Sequence, residues 1–176
     1  MSGSLSGSSP VPNAQQIGTL GEQFVAQWLY CQNWQILQHQ YRTRWGEIDL
    51  IAIHSTTDPI TPEKTVIFVE VKTRNHRNWD SDGLLAITPT KQEKLMISAQ
   101  YFLSQYPELA ECPCRFDVAL VRWQPWVQPI NQQTLVPQSD LSIGEFPHTI
   151  DLGQPVNISQ GCLTLQQYIK SAFSMS

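Results

Sequence analysis

One eight-residue segment, Thr65 to Lys72, constrains the fold of this 176-residue chain more than any other. Its sequence, TVIFVEVK, is a run of β-branched and aromatic residues that ends in an acid and a base. A strand that is apolar on both faces is typical of the centre of a covered sheet. Because residues two apart share a side of a strand, we expect Glu70 and Lys72 to project together. The alternate apolar positions face the other way: Ile67, Val69 and Val71.

The patterns around this segment predict a mixed α/β fold. An amphipathic helix is predicted over residues 14–31, with an N-x-x-Q capping box at its start. A second helix is predicted to begin at Pro89, after the N-cap residue Thr88, and to end at Pro107. The other predicted strands cover residues 34–43, 47–53 and 115–123. The order helix, three strands, helix, strand predicts a central sheet with helices packed on it.

The remaining chain divides into a tail and an extension. Residues 1–12 are rich in Ser, Gly and Pro and are predicted to form a disordered tail, followed by one domain over residues 13–123. Residues 124–176 are a variable extension, either packed on that domain or separate, with a short helix predicted over residues 163–173. The tail lacks signal-peptide features and no run approaches about 20 apolar residues, so we expect a cytoplasmic protein without membrane contact.

A second acid lies on the strand before TVIFVEVK. Asp49 stands in the run EIDLIAI, and Glu47 is expected on the same side of that strand. Strand interiors rarely contain acids, so Asp49 and Glu70 on neighbouring strands require an explanation. A divalent cation supplies one, because Mg²⁺ (or Mn²⁺) is held by one or two carboxylates with water and phosphate. Lys72 would then lie near the attacking water and the scissile phosphate. Asp117, on the last predicted strand, is either structural or in contact with this centre.

Each of these assignments has an alternative. E-x-K is a short pattern, and Glu70 with Lys72 also suits a plain salt bridge or an exposed strand edge. Glu22 borders an apolar stripe on the first helix and either reaches the metal or its water shell, or is an ordinary solvated acid. Lys91 and Gln92 begin the second helix, where they either bind phosphate or extend to water.

Basic residues surround the acidic motif even though the net charge is −4. That net charge counts against a protein that coats nucleic acid electrostatically. Arg42, Arg44 and Arg74 flank the acidic strands, where they either contact phosphates on both sides of the cut or are solvated surface arginines. Trp45 and Trp79 either stack on unpaired bases or pack within the core or a loop.

Several motifs in order resemble a known family. A G-x-x-G-E pattern occupies residues 18–22, Y-R-T-R-W-G-E-I-D-L-I occupies residues 41–51, and F-V-E-V-K-T-R occupies residues 68–74. K-Q-E-K-L and R-F-D-V follow later in the chain. Together these motifs cover roughly residues 17–123 and resemble the YraN family. That family is similar to the restriction-endonuclease-like PD-(D/E)XK superfamily and, within it, to the archaeal Holliday-junction resolvases.

The resemblance implies an α-β-β-β-α-β core, with a central mixed sheet flanked by helices, together with Mg²⁺ dependence and phosphodiester hydrolysis. Asp49 corresponds to the motif aspartate and Glu22 to the first-helix glutamate of the resolvases. Glu70 and Lys72 correspond to the E-x-K pair, and the backbone carbonyl of Val71 is an expected further metal ligand.

The chain departs from the superfamily pattern at Ile48, which stands where the superfamily's name has a proline. The leading hypothesis is a Mg²⁺-dependent nuclease acting on DNA, branched DNA included, as a homodimer or with a partner protein. The second hypothesis is a non-catalytic nucleic-acid-binding or scaffolding domain that keeps the nuclease fold. A third is a structural protein with a paired-charge core.

Overall fold

The computed structural model describes residues 12–55, 64–75, 87–126 and 146–174. Its elements in chain order are α1 (Ala14–Cys31), β1 (Gln35–Arg42), β2 (Glu47–Ser55), β3 (Lys64–Asn75), α2 (Pro89–Gln105), a 3₁₀ turn (Pro107–Leu109), β4 (Cys114–Pro125), β5 (Pro155–Ile158) and β6 (Gly161–Phe173). Residues 1–11 of the predicted disordered tail (residues 1–12) lie outside the described residues, as does Trp79. None of the helices in the described ranges is long and apolar enough to cross a membrane.

The two predicted helices begin where their capping residues place them. Asn13 accepts a hydrogen bond from the backbone of Gln16, whose side chain accepts one from the Asn13 backbone, which confirms the capping box of α1. Thr88 accepts from the backbone N–H of Lys91 at the start of α2. These bonds satisfy N–H groups that have no partner within the helix, so the sequence determines both helix starts locally.

The six strands form one mixed sheet in the order β1-β2-β3-β4-β6-β5. β3 and β4 are parallel, and every other neighbouring pair is antiparallel. β3 therefore lies inside the sheet, as its unbroken apolar sequence predicts. The mixed α/β fold class is confirmed, and the arrangement is compatible with a restriction-endonuclease-like core.

Each helix covers a different face of the sheet. On the α1 face, Phe24 and Leu29 belong to one buried cluster with Val69 and Val71 of β3. On the α2 face, a second cluster contains four phenylalanine and leucine side chains from α2, β3 and β4: Leu95, Phe102, Phe68 and Phe116. Each such side chain stabilises the fold by roughly 1.5–3 kcal/mol when it leaves water. Burial on both faces holds β3 rigidly between the two helices.

The helix predicted over residues 163–173 is wrong, because this segment is the strand β6. β6 pairs antiparallel with β4 from Gly161 opposite Pro125 to Phe173 opposite Phe116. Gly161 permits this approach, since a Cβ there would collide with the Gln124 backbone and the Trp123 ring. The open edge of β4 supplies hydrogen-bond partners that outweigh the local helical pattern.

Candidate functional site

The side chain of Asp49 continues the pairing between β2 and β3 where the backbone ladder stops. The ladder runs from Ser55 opposite Lys64 to Leu50 opposite Val69. One residue further along β2, Asp49 Oδ2 accepts a hydrogen bond from the Val71 N–H at 2.7 Å. The Asp49 carboxylate therefore lies against β3, beside Glu70.

Glu70 is the most enclosed charge of the site, with only 3% of its surface exposed. Lys72 Nζ donates to Glu70 Oε1 at 2.6 Å, which confirms that these side chains share one side of β3. Lys91 Nζ, from the first turn of α2, lies 3.2 Å from Glu70 Oε2. The Glu70–Lys72 salt bridge that the sequence allows as an alternative is thus present, and a second lysine joins it.

The Glu70 carboxylate opposes the ionisation of the acids around it. Burial, reinforced by the neighbouring Glu70 carboxylate, raises the pKa of Asp49 to about 7. The Val71 N–H bond and the positive charge of Lys91 act in the opposite direction. A carboxyl that is hard to ionise in a protein's interior becomes easier to ionise when a cation binds, so the pair is chemically suited to one.

Glu22 extends this acidic centre from α1. The Glu22 side chain is partly buried, and Gln40 Nε2 donates to its Oε2 at 2.8 Å. Burial raises the pKa of Glu22, and the charges of Glu47 and Glu70 raise it further. Glu22 is therefore held in place and senses Glu70 electrostatically, unlike an ordinary solvated helix acid.

Gln40 is a site residue that the sequence analysis missed. His39 pairs with Leu50 and Tyr41 pairs with Ile48, which places Gln40 opposite Asp49. The backbone φ of Gln40 is +48°, in the left-handed region that non-glycine residues rarely adopt. Its amide nitrogen reaches Glu22, and its amide oxygen accepts from Arg42 Nη2 at 3.3 Å. A polar residue in a strand gives no sequence signal for this backbone geometry.

The residues predicted to bind substrate are distributed over several places. Lys91 turns to Glu70, and Gln92 donates to the Ile87 carbonyl at 3.2 Å. Arg42 is largely exposed and forms an ion pair with Glu47 at 3.2 Å. Lys91 therefore lies at the acidic centre, whereas the side-chain amide of Gln92 binds the backbone just before α2.

The remaining two arginines lie on β3 and in the β1–β2 turn. Arg74 is partly buried on β3, two residues beyond Lys72. Arg44 is exposed in the β1–β2 turn, and its guanidinium lies 4.2 Å from the Trp45 ring centroid. Contact of either arginine with phosphate stays a prediction.

Asp117 has a structural environment. It is fully buried on β4 and accepts from Arg115 Nε at 3.0 and 3.1 Å. Tyr168 Oη donates to it at 2.9 Å, and the Ser171 N–H donates at 2.9 Å. Of the two roles that the sequence leaves open, these contacts support the structural one, because they tie β6 to β4.

The donor set around Glu70 fits a hard divalent cation. Glu70 Oε2 is buried and accepts no hydrogen bond from the residues that the structure describes, since Lys91 approaches it without hydrogen-bond geometry. Across the described ranges, no three His, Cys, Asp or Glu side chains are grouped to cage a metal. Mg²⁺ needs no such cage, because it is commonly held by one or two carboxylates plus water and phosphate. Asp49 and Glu70 meet that requirement, and the Val71 carbonyl stays a predicted ligand.

Comparison with known proteins gives one consistent result. The family model described as "Uncharacterised protein family UPF0102" matches residues 21–121. A UPF0102 protein of Acaryochloris marina is 44% identical over 176 residues, covering 95% of this chain and 97% of the relative. A UPF0102 protein of Trichodesmium erythraeum is 43% identical and covers 89% of this chain and 87% of the relative. The chain therefore belongs to the UPF0102 family, also called YraN, within the restriction-endonuclease-like superfamily.

Proposed function

We propose that this protein is a Mg²⁺- or Mn²⁺-dependent nuclease that hydrolyses phosphodiester bonds in DNA. One observation carries the proposal: the buried carboxylate of Glu70 lies between Lys72, 2.6 Å away, and the neighbouring Asp49 carboxylate. Two neighbouring carboxylates, one of them paired with an amine, form the set that a metal-assisted phosphodiester hydrolysis needs.

Asp49 and Glu70 would hold the metal ion, with the carbonyl of Val71 as a further ligand. The bound ion would act as a Lewis acid on the phosphate and lower the pKa of a bound water. Lys72 is 27% exposed at its side chain, so its ammonium reaches both Glu70 and an incoming phosphate. Its role is to orient the attacking water and to stabilise the charge that develops on the phosphate oxygens.

Lys91 and Glu22 support this centre from the two helices. Lys91 places a second positive charge 3.2 Å from Glu70, and it would balance part of the acidic charge of the centre before a metal binds. Glu22, held by Gln40, would accept a proton or a hydrogen bond from the water shell of the ion. Neither residue needs to be a direct metal ligand for these roles.

The direct test is a cleavage assay on duplex, flapped and four-way DNA with Mg²⁺, Mn²⁺ or EDTA. Asp49→Asn and Lys72→Ala should each lower the cleavage rate by at least about a hundredfold, because each removes charge stabilisation needed in the transition state. Asp151→Asn and Lys170→Ala are matched controls on exposed residues of β-strand edges and loops, and should cleave normally. Absence of cleavage by the wild type on every substrate with both metals would refute the proposal.

A second function has specific support from the ion pairs. Lys72 and Lys91 already neutralise Glu70 without a metal, as expected of a non-catalytic nucleic-acid-binding or scaffolding domain that keeps the fold. Thermal unfolding with and without Mg²⁺ separates the two functions. A selectively bound metal stabilises the folded state by about 2.7 kcal/mol at a hundred times its Kd. The nuclease predicts a Mg²⁺-dependent rise in Tm for the wild type that Asp49→Asn abolishes, whereas the binding domain predicts none.

A further inference from the structure

A separate open pocket of about 570 Å³ lies beside the β1–β2 turn and the outer face of α2. Its lining residues are Arg42, Thr43, Arg44, Trp45 and Tyr101. Among the described residues, the lining combines two guanidinium groups with two aromatic rings and no acid. Glu47 is the neighbouring acid, and its carboxylate pairs with Arg42.

The turn that forms one wall of this pocket is held in a defined shape. The Thr43 N–H donates to the Gly46 carbonyl at 2.8 Å, and Thr43 Oγ1 accepts from the N–H groups of Trp45 and Gly46, each at 3.2 Å. Thr43 Oγ1 also lies 2.8 Å from Oγ of Ser98, a fully buried residue of α2. This contact joins the turn to α2. The Arg44 and Trp45 side chains are therefore preorganised for a ligand, which lowers the entropic cost of binding.

The aromatic rings are arranged to receive another flat group. The Arg44 guanidinium lies 4.2 Å from the Trp45 ring centroid, and the Trp45 and Tyr101 centroids are 5.5 Å apart at 62°. Tyr101 is 42% exposed, although a tyrosine ring gains free energy by leaving water. Nucleic acid bases stack on aromatic rings and on guanidinium planes, while the guanidinium charge attracts the phosphate.

The pocket lies at a distance that suits a strand passing through the acidic centre. Tyr101 follows Lys91 on α2 by ten residues, which is about 15 Å along the helix axis. With 3.4 Å per nucleotide along a base-paired strand, this separation is at most about four nucleotides, and an extended unpaired strand spans it with fewer. Arg42 connects the two places, because it lines the pocket and donates to Gln40, which holds Glu22.

We propose that this pocket binds an unpaired nucleotide of a DNA strand, a few nucleotides from the scissile phosphate. The base stacks against Tyr101 and the Arg44 guanidinium, and Arg42 and Arg44 attract the adjacent phosphates. A base within a duplex has both faces covered by its neighbours, so the pocket selects DNA with unpaired bases beside the cut. This inference rests on the proposed nuclease function for its biological role, whereas the binding itself does not require cleavage.

The test measures fluorescence anisotropy of a labelled short oligothymidylate, and of a blunt duplex, with the full-length protein in EDTA. Tyr101→Ala and Arg44→Gln should each weaken binding of the single strand about tenfold, within the range known for loss of one stacked base. Duplex binding should change less. Tyr30→Ala is the matched control, because Tyr30 is 69% exposed on α1 and does not line the pocket.

The outcomes of this test separate the pocket from the nuclease. The proposal is overturned if the single strand does not bind the wild type, or if Tyr101→Ala binds it as tightly as Tyr30→Ala does. The free energy of unfolding of Tyr101→Ala in urea should match that of the wild type. A loss of binding then results from the missing ring and not from unfolding. Selective binding without any cleavage would retain the pocket and reject the nuclease. Cleavage by the wild type, together with equal binding by Tyr101→Ala and Tyr30→Ala, would retain the nuclease and reject the pocket.

Discussion

The carboxyl of Asp49 is surrounded by groups that oppose its ionisation. Burial and the nearby Glu70 carboxylate raise its pKa from 3.8 to about 7 in the folded state. The unfolded chain therefore releases this proton near pH 4, while the folded protein retains it until near pH 7. Between these values the unfolded state binds fewer protons, so the Asp49 contribution to the free energy of unfolding falls as pH rises.

We therefore expect Asp49→Asn to become progressively more stable than the wild type between about pH 4 and pH 7 in EDTA, because asparagine carries no charge to bury. Urea unfolding across this pH range measures the difference. Saturating Mg²⁺ at pH 7 should stabilise the wild type alone and reduce that difference. A difference that does not depend on pH would contradict the raised pKa.

Gln40 combines a strained backbone with a function in positioning Glu22. Its φ of +48° is unfavourable for every residue with a Cβ, and glycine avoids this cost. Gln40→Gly and Gln40→Ala both remove the bond to Glu22. We expect the glycine variant to be the more stable of the two by about 1 kcal/mol, measured by urea unfolding. Equal stability, or greater stability of the alanine variant, would show that the left-handed backbone is not retained in solution.

At the scale of elements, α1 reaches β3 through a glycine. A Cβ on Gly21 would collide with the side chain of Thr73, whose Cβ and Cγ2 lie only 3.0 and 3.2 Å away. Rotation of Thr73 about χ1 would move Oγ1 and Cγ2 but would leave its Cβ at 3.0 Å, so part of the contact remains. The close approach brings Glu22, the next residue, towards the charges on β3. Helix packing and site geometry thus depend on one small residue.

Gly21→Ala should destabilise the protein by about 1–3 kcal/mol, the usual cost of overpacking a tight contact. Gly18→Ala is the control on the same helix, where an added Cβ meets nothing within 4 Å. That control should stabilise the protein by about 0.5–1 kcal/mol, because alanine favours the helix. Chemical unfolding of both variants checks the pair, and similar effects of the two substitutions would argue against the α1–β3 contact.

At the scale of the whole molecule, β6 belongs to the same sheet as the strands that carry the acids. Leu163 and Leu165 of β6 are fully buried in the α1-side cluster. Tyr168 and Ser171 donate hydrogen bonds to the buried Asp117 of β4. Loss of β6 would expose the edge of β4 and remove two donors from a buried carboxylate, a cost of about 1–3 kcal/mol for each unsatisfied group.

A chain that ends at Trp126 should therefore fail to unfold cooperatively in urea, followed by circular dichroism. Lys170→Ala, on an exposed residue of β6, is the full-length control and should unfold as the wild type does. A cooperative transition of the shortened chain near the wild-type midpoint would mean that β6 is dispensable for the sheet.

The sequence by itself determined the elements whose signals are local. These elements are α1 and α2, which begin at their capping residues, and β3, which is an unbroken apolar run. Their signals involve residues only a few positions apart, so they can be recognised without knowledge of the tertiary contacts. Strand alternation likewise placed Glu70 beside Lys72.

Only the tertiary structure decided the features that depend on distant partners. β6 is a strand because β4 offers it an open edge, and Gln40 adopts its strained backbone between Asp49 and Glu22. The approach of Lys91 to Glu70 depends on how α2 packs on the sheet. These features arise from contacts between residues far apart in the chain, whose free energy exceeds the local preferences that a sequence pattern reports.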